Sequence, residues 1–197
     1  MTRTAARWSV LLAAVIAILA VGWPAGAVAQ PRPIVLVGTG GFTWSDITPD
    51  GTPTLWRLVQ KSAVSTVTVR SVDSNTCPVD AWLSLSAGER AAAPGPGGSV
   101  RRAVSVACPS IPDPVGRMVP GWATYVSVAA RAHFGATLGL LGDQLAAARR
   151  DVLAIGPGAA IGAARRGGAV PPYLTLDDAL AREALAAAAV PIVDLGA

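Results

Sequence analysis

Residues 33–88 read PIVLVGTGGFTWSDITPDGTPTLWRLVQKSAVSTVTVRSVDSNTCPVDAWLSLSAG, and the order of patterns in this stretch decides the fold. Ile34 to Val37 is a continuous apolar run bounded by Pro33 and Gly38, the pattern of a central parallel strand buried on both faces. Thr52 precedes Pro53, which suits the N-cap and first position of a helix carrying Leu55, Leu58 and Val59 on one face. Val64 to Arg70 alternates Val64, Thr66 and Thr68 against Ser65, Val67 and Val69, a β-branched pattern that predicts a strand. A Thr76-Cys77-Pro78 turn then opens a short helix with Val79, Trp82 and Leu83 on one face and Gly88 as its C-terminal stop.

Beyond this stretch, residues 91–99 (AAAPGPGGS) predict a flexible surface loop, and Val100 to Ala107 an edge strand. Pro109, Pro112, Pro114 and Pro120 make the following segment irregular. Helices are expected near Trp122 to Ala132 and Thr137 to Arg149, the second with Leu138, Leu141 and Leu145 as an apolar stripe. Asp151 to Ile155 reads as a strand ending in a Gly156-Pro157-Gly158 tight turn. Thr175 and Asp178 form a capping pair for a helix running through Leu180 to Ala188, and Val190 to Leu195 is the last strand. Strands alternating with helices define an α/β fold with a mostly parallel sheet, right-handed crossovers and helices on both faces.

The chain has 197 residues, which suits one domain with a leader. Arg3 and Arg7 form a basic start, Trp8 to Trp23 is apolar, Pro24 and Gly26 break the run, and Ala27-Val28-Ala29 precedes Gln30 as an A-x-A site. Residues 1–29 are therefore expected to be a signal peptide cleaved after Ala29, or a retained membrane anchor, and residues 30–197 an extracytoplasmic domain, secreted or membrane-anchored. Loss of Arg3 and Arg7 from 16 basic residues leaves 14 against 12 acidic ones, a balance of +2. Arg101-Arg102, Arg149-Arg150 and Arg165-Arg166 are isolated pairs without interleaved aromatics, so no nucleic-acid partner is expected. Two cysteines, Cys77 and Cys108, in an exported chain favour a disulfide over two buried thiols; it would close a loop of about 30 residues.

The strings GFTWSDI (41–47), TPTLWRL (52–58) and TCPVDAWLSLSAGER (76–90) carry a resemblance. Their layout resembles the start of the alkaline phosphatase and sulfatase superfamily. There a strand ends in a metal-binding Asp, a Thr-Pro helix follows, and a Ser, Thr or Cys nucleophile opens a further helix. The resemblance covers residues 34–88, and 135–196 more loosely. The same strings, with LAIGPGAAIGAA at 153–164, resemble the extracytoplasmic domain of bacterial membrane proteins of this fold, which brings no particular activity with it.

The resemblance implies a nucleophile position at Thr76 or Cys77 and a metal-binding Asp where this chain has Gly40. Cys77-Pro78-Val79-Asp80 lacks the Ser and Arg of the sulfatase motif, so conversion of Cys77 to formylglycine is not expected. Asp80 would favour the helix dipole while repelling a phosphate, and Asp194 is the other acidic candidate. A two-zinc site needs about six Asp and His ligands, and His133 is the single histidine. Zinc is thus expected only if sequence beyond Ala197 supplies more ligands. Family members usually run well past this length, and a chain stopping at Asp194-Leu195-Gly196-Ala197 reads as truncated or split.

Weaker motifs have structural readings. Gly38-Thr39-Gly40-Gly41 lacks dinucleotide-binding spacing. Ser84 and Ser86 have no partner histidine or nucleophile elbow, His133 suits a helix C-terminus, and Trp44, Trp56, Trp82 and Trp122 read as core or rim. The leading expectation is a degenerate, non-catalytic phosphatase-like domain that binds or helps assemble the envelope, with an envelope protein as partner and the membrane too if the leader stays. The alternatives are a metal-dependent phosphoester or sulfoester hydrolase completed beyond Ala197, and a small disulfide-bonded ligand-binding module.

Overall fold

The computed structural model describes residues 33–66, 70–73, 75–100, 107–181 and 184–196. The leader, residues 67–69 of the expected second strand and residues 101–106 of the expected edge strand lie outside them. Four strands, β1 (Leu36–Gly38), β2 (Val152–Ile155), β3 (Tyr173–Leu174) and β4 (Val190–Asp194), form one parallel sheet in the order β1-β4-β2-β3. Leu36 stands opposite Ile192, Val152 opposite Val190, and Ala154 opposite Tyr173. Parallel neighbours require crossovers, and helices supply them. They are α1 (Pro53–Val59), α2 (Pro78–Ala87), α3 (Trp122–Arg131), α4 (Leu140–Ala147), α5 (Pro157–Ala163) and α6 (Leu176–Ala181). The sequence pattern thus gave an α/β chain with a parallel sheet.

The main core lies on one face. Val79, Trp82 and Leu83 of α2 meet Ala159, Ala160 and Ile161 of α5 over Ala154 and Ile192, with Trp122, Tyr125 and Leu138 closing the outside. Gly156-Pro157-Gly158 reads as a tight turn in the sequence, but Pro157 and Gly158 open α5. Pro157 occupies the first helical position, where its missing N–H costs nothing. The Gly and Ala content of α5 is what lets it lie close to α2. A Cβ on Gly158 would fall 2.1 Å from Trp82 Nε1, and one on Gly38 would fall 2.6 Å from Trp82 Cζ2. The two glycine turns are thus fitted around one indole. On the opposite face a thinner layer of Ala179 and Ala184 packs on Leu153, Ile155 and Val193.

Three expectations are corrected. Among the described residues the run at Ile34–Val37 has a strand on one side only, where a central strand was expected. Among them β1 pairs with β4 alone, and Ile34 is 70% and Val37 56% exposed. Val64–Thr66 are outside any strand. The stretch 91–99 is not all surface: Ala91, Ala92 and Ala93 are buried, because their backbone supplies partners to α2, and a 3₁₀ turn follows at Pro96–Gly98. Cys77 and Cys108 form a disulfide with an S–S distance of 2.04 Å and a Cα–Cα distance of 5.4 Å, tying the start of α2 to the proline-rich segment.

Candidate functional site

Ligands of open parallel sheets sit beyond the carboxyl ends of the strands. Here a cleft of about 630 Å³ opens where β1 and β4 end, lined by the Gly38–Gly41 turn, Thr76, Cys77, Trp82 and Asp194. The turn is strapped to the chain after β4. The Gly40 N–H donates to Gly196 O at 2.8 Å and the Thr39 hydroxyl to the same oxygen at 3.2 Å. The structure therefore brings Gly40, Thr76, Cys77 and Asp194 around one cleft, although 154 positions separate Gly40 from Asp194 in the chain.

Each of these side chains is engaged with the fold. The Thr76 hydroxyl accepts from Ser71 N–H at 3.0 Å. Cys77 is in the disulfide, so it offers no thiolate. Asp194, buried at 7% exposure, accepts from Gly158 N–H at 2.7 Å with Oδ2 and from Gly196 N–H at 2.9 Å with Oδ1. Its carboxylate caps the first turn of α5 from a distant part of the chain, where negative charge complements the helix dipole.

Asp80 lies elsewhere. It is fully buried, and it accepts from Cys77 N–H at 2.9 Å and Ala93 N–H at 2.8 Å, pinning the start of α2 to the segment at residues 91–93. It does not line the cleft. Burial, reinforced by the Asp80 charge, raises the nearby Tyr125 phenol above its ordinary range. His133 is exposed beyond α3 in a left-handed conformation and also stands outside the cleft. Ser84 and Ser86 are committed to backbone groups: Ser84 Oγ donates to Asp80 O at 2.7 Å, and Ser86 Oγ accepts from Gly139 N–H at 2.9 Å.

A zinc pair does not fit the described residues. Among the described residues no three His, Cys, Asp or Glu side chains are grouped to hold a metal ion. In the cleft, both Asp194 oxygens already accept backbone N–H groups and Gly40 has no side chain to offer. Among the described residues Asp194 is the only acidic or basic side chain in the lining. A dianionic phosphate or sulfate would meet one carboxylate and no cation there.

One contributor to this site was missed in the sequence. Trp82, read there as packing, forms the wall against which Gly38 and Gly158 close. Its signal was the coincidence of two glycine turns, each following a strand, with a tryptophan on the helix between them.

Fold and cleft together define an α/β domain with a parallel sheet and a carboxyl-end cleft that mixes apolar side chains with a few polar groups and has no cation among the described residues that line it. Comparison with family models, curated proteins and solved structures finds no match.

Proposed function

We propose that this chain is an exported α/β domain, related in layout to the alkaline phosphatase-like fold, that binds a ligand without hydrolysing it. The observation that carries the reading is the state of the three side chains at the would-be reaction centre. Thr76 accepts a backbone N–H, Cys77 is oxidised in a disulfide, and Asp194 caps a helix. None is arranged as an activated nucleophile, which needs an adjacent base or a metal. The rest of the lining combines apolar side chains such as Leu36, Trp82 and Leu85 with Thr39, Asn75, peptide groups and one carboxylate, and so suits a largely apolar ligand carrying a neutral or cationic polar group better than a phosphate. An envelope binding or assembly role follows from combining this cleft with the export signal in the sequence.

A hydrolase is the second reading. It is favoured by the position of Thr76, one residue before the N-cap of α2 and on the cleft wall. The test is hydrolysis of chromogenic phosphomonoester, phosphodiester and sulfate-ester substrates by the full chain with zinc or magnesium. The expected result is no turnover beyond that of Thr76→Ala. Metal-dependent turnover that disappears in Thr76→Ala would overturn the binding reading.

A further inference from the structure

A second cleft, also of about 630 Å³, lies at the opposite end of the sheet, where β2, β3 and β4 begin. Its chemistry is the reverse of the first. Arg117, Arg150 and Arg165 line it together with a single carboxylate, Asp151, so it holds two positive charges in excess. The sequence shows these arginines in three separate places, two of them in Arg-Arg pairs that look like ordinary solvated ends. The fold separates the pairs. Arg166 Nε is 3.3 Å from Asp143 Oδ2 in a solvent-exposed ion pair, whereas Arg165 and Arg150 make no side-chain hydrogen bond or ion pair with a described residue.

The backbone holds the arginines in place. Val170 N–H donates to Arg117 O at 2.9 Å, and Arg165 N–H donates to Ala169 O at 2.9 Å, so one short segment fixes the chain at both residues. The Arg117 side chain is itself oriented, with Nε and Nη2 donating to Val170 O at 3.4 and 3.3 Å and Nη1 left over. Arg150 is delivered by the turn that closes α4, where its N–H donates to Leu145 O at 2.9 Å. Arg117 and Arg149 both adopt left-handed backbone, at φ 64° and 52°, a conformation costing non-glycine residues about 1 kcal/mol each. Val152, Pro171 and Pro172 give the cleft an apolar wall.

We propose that this cleft binds a doubly charged oxyanion, a phosphate monoester or sulfate, with the attached carbon skeleton against Val152, Pro171 and Pro172. Planar guanidinium groups pair with such oxygens through two parallel hydrogen bonds, and two arginines with no partner among the described residues, beside an oriented third, supply the donors. A cleft of this volume lies within the range of small-molecule sites. The oxyanion belongs either to a free small molecule or to the headgroup of a lipid, and both present the same chemistry to the three arginines.

The test is calorimetric titration of the full chain with inorganic phosphate and with sulfate, against chloride at matched ionic strength. A parallel arm measures co-sedimentation with phosphatidylcholine vesicles with and without phosphatidate. Arg150→Gln/Arg165→Gln is expected to weaken binding about tenfold or more, and Arg166→Gln less than about twofold, because that side chain is already paired. Far-UV circular dichroism checks that the variants stay folded. Binding of the free anions that falls in the double variant supports a small-molecule ligand, and vesicle binding alone that falls likewise supports a headgroup. Equal binding by wild type and double variant, or no preference for phosphate and sulfate over chloride with no phosphatidate-dependent sedimentation, overturns the site.

Discussion

Residues 33–59 and the block built from α2, α5, β2 and β4 have similar sequences and opposite surroundings. Ile34–Val37 and Val152–Ile155 are both short apolar runs preceding a glycine. Yet Val37 is 56% exposed, while Ile155 is 1% exposed. β2 and β4 each have a strand on both sides and α5 against one face; β1 has β4 alone among the described residues. α1 repeats the contrast, since Leu55, Trp56 and Leu58 are exposed while Val79, Trp82 and Leu83 of α2 are buried. Hydropathy sets what burial would gain; the neighbours set whether it happens.

The largest effect expected inside the block is from Asp80→Ala. It leaves the buried N–H groups of Cys77 and Ala93 without their acceptor, and a loss of about 4 kcal/mol is expected from urea unfolding. An unchanged midpoint would show that the start of α2 is held by something else. Replacing both Cys77 and Cys108 with serine opens a crosslink between residues 31 apart and should cost about 3–4 kcal/mol, read as a lower melting temperature under oxidising conditions. If reduction of the native chain leaves melting unchanged, the disulfide contributes nothing to the block. Gly158→Ala forces a methyl to within 2.1 Å of Trp82 Nε1 and 2.5 Å of Asp194 Oδ2, and a cost of about 2–3 kcal/mol is expected. A neutral result would mean that α2 and α5 are not so closely packed. At the other end of the scale, Leu58→Ser in α1 should change stability by less than about 0.5 kcal/mol, since the side chain is 58% exposed. A loss comparable to that of Gly158→Ala would erase the contrast between the two regions.

Local patterns made much of this fold legible. Pro53, Pro78 and the Thr175–Asp178 pair mark helix starts that the structure reproduces; Thr175 Oγ1 accepts from Asp178 N–H at 3.1 Å. β2 and β4 follow their apolar runs, and Gly88 ends α2 at φ 67°. What failed was information that lies in other parts of the chain. A run such as Ile34–Val37 states that a strand forms but not where in the sheet it goes. Residues 157–163 were obscured by glycine, which weakens a helix alone but here permits contact with Trp82.

The carboxyl-end cleft divides in the same way. Gly40, Thr76 and Cys77 stood out through the resemblance of their motifs to a known layout, and they do line one cleft with Asp194. That each is bonded into the fold depended on partners such as Ser71, Cys108 and Gly158, which no local pattern names. The arginine cleft was hidden for the same reason, because Arg117, Arg150 and Arg165 meet only through the backbone around Ala169 and the turn closing α4.

The central claim is that the carboxyl-end residues serve the fold and a bound ligand, not a metal. Zinc titration of the full chain, followed by calorimetry and thermal melting, tests it most directly. A resident metal that binds the folded state tightly raises the melting temperature, by about 2.7 kcal/mol of added stability at a hundredfold excess over its dissociation constant. The account predicts no stoichiometric heat and no shift in melting for the wild-type chain. One or two equivalents of zinc bound, with a raised melting temperature that Asp194→Asn abolishes, would contradict it.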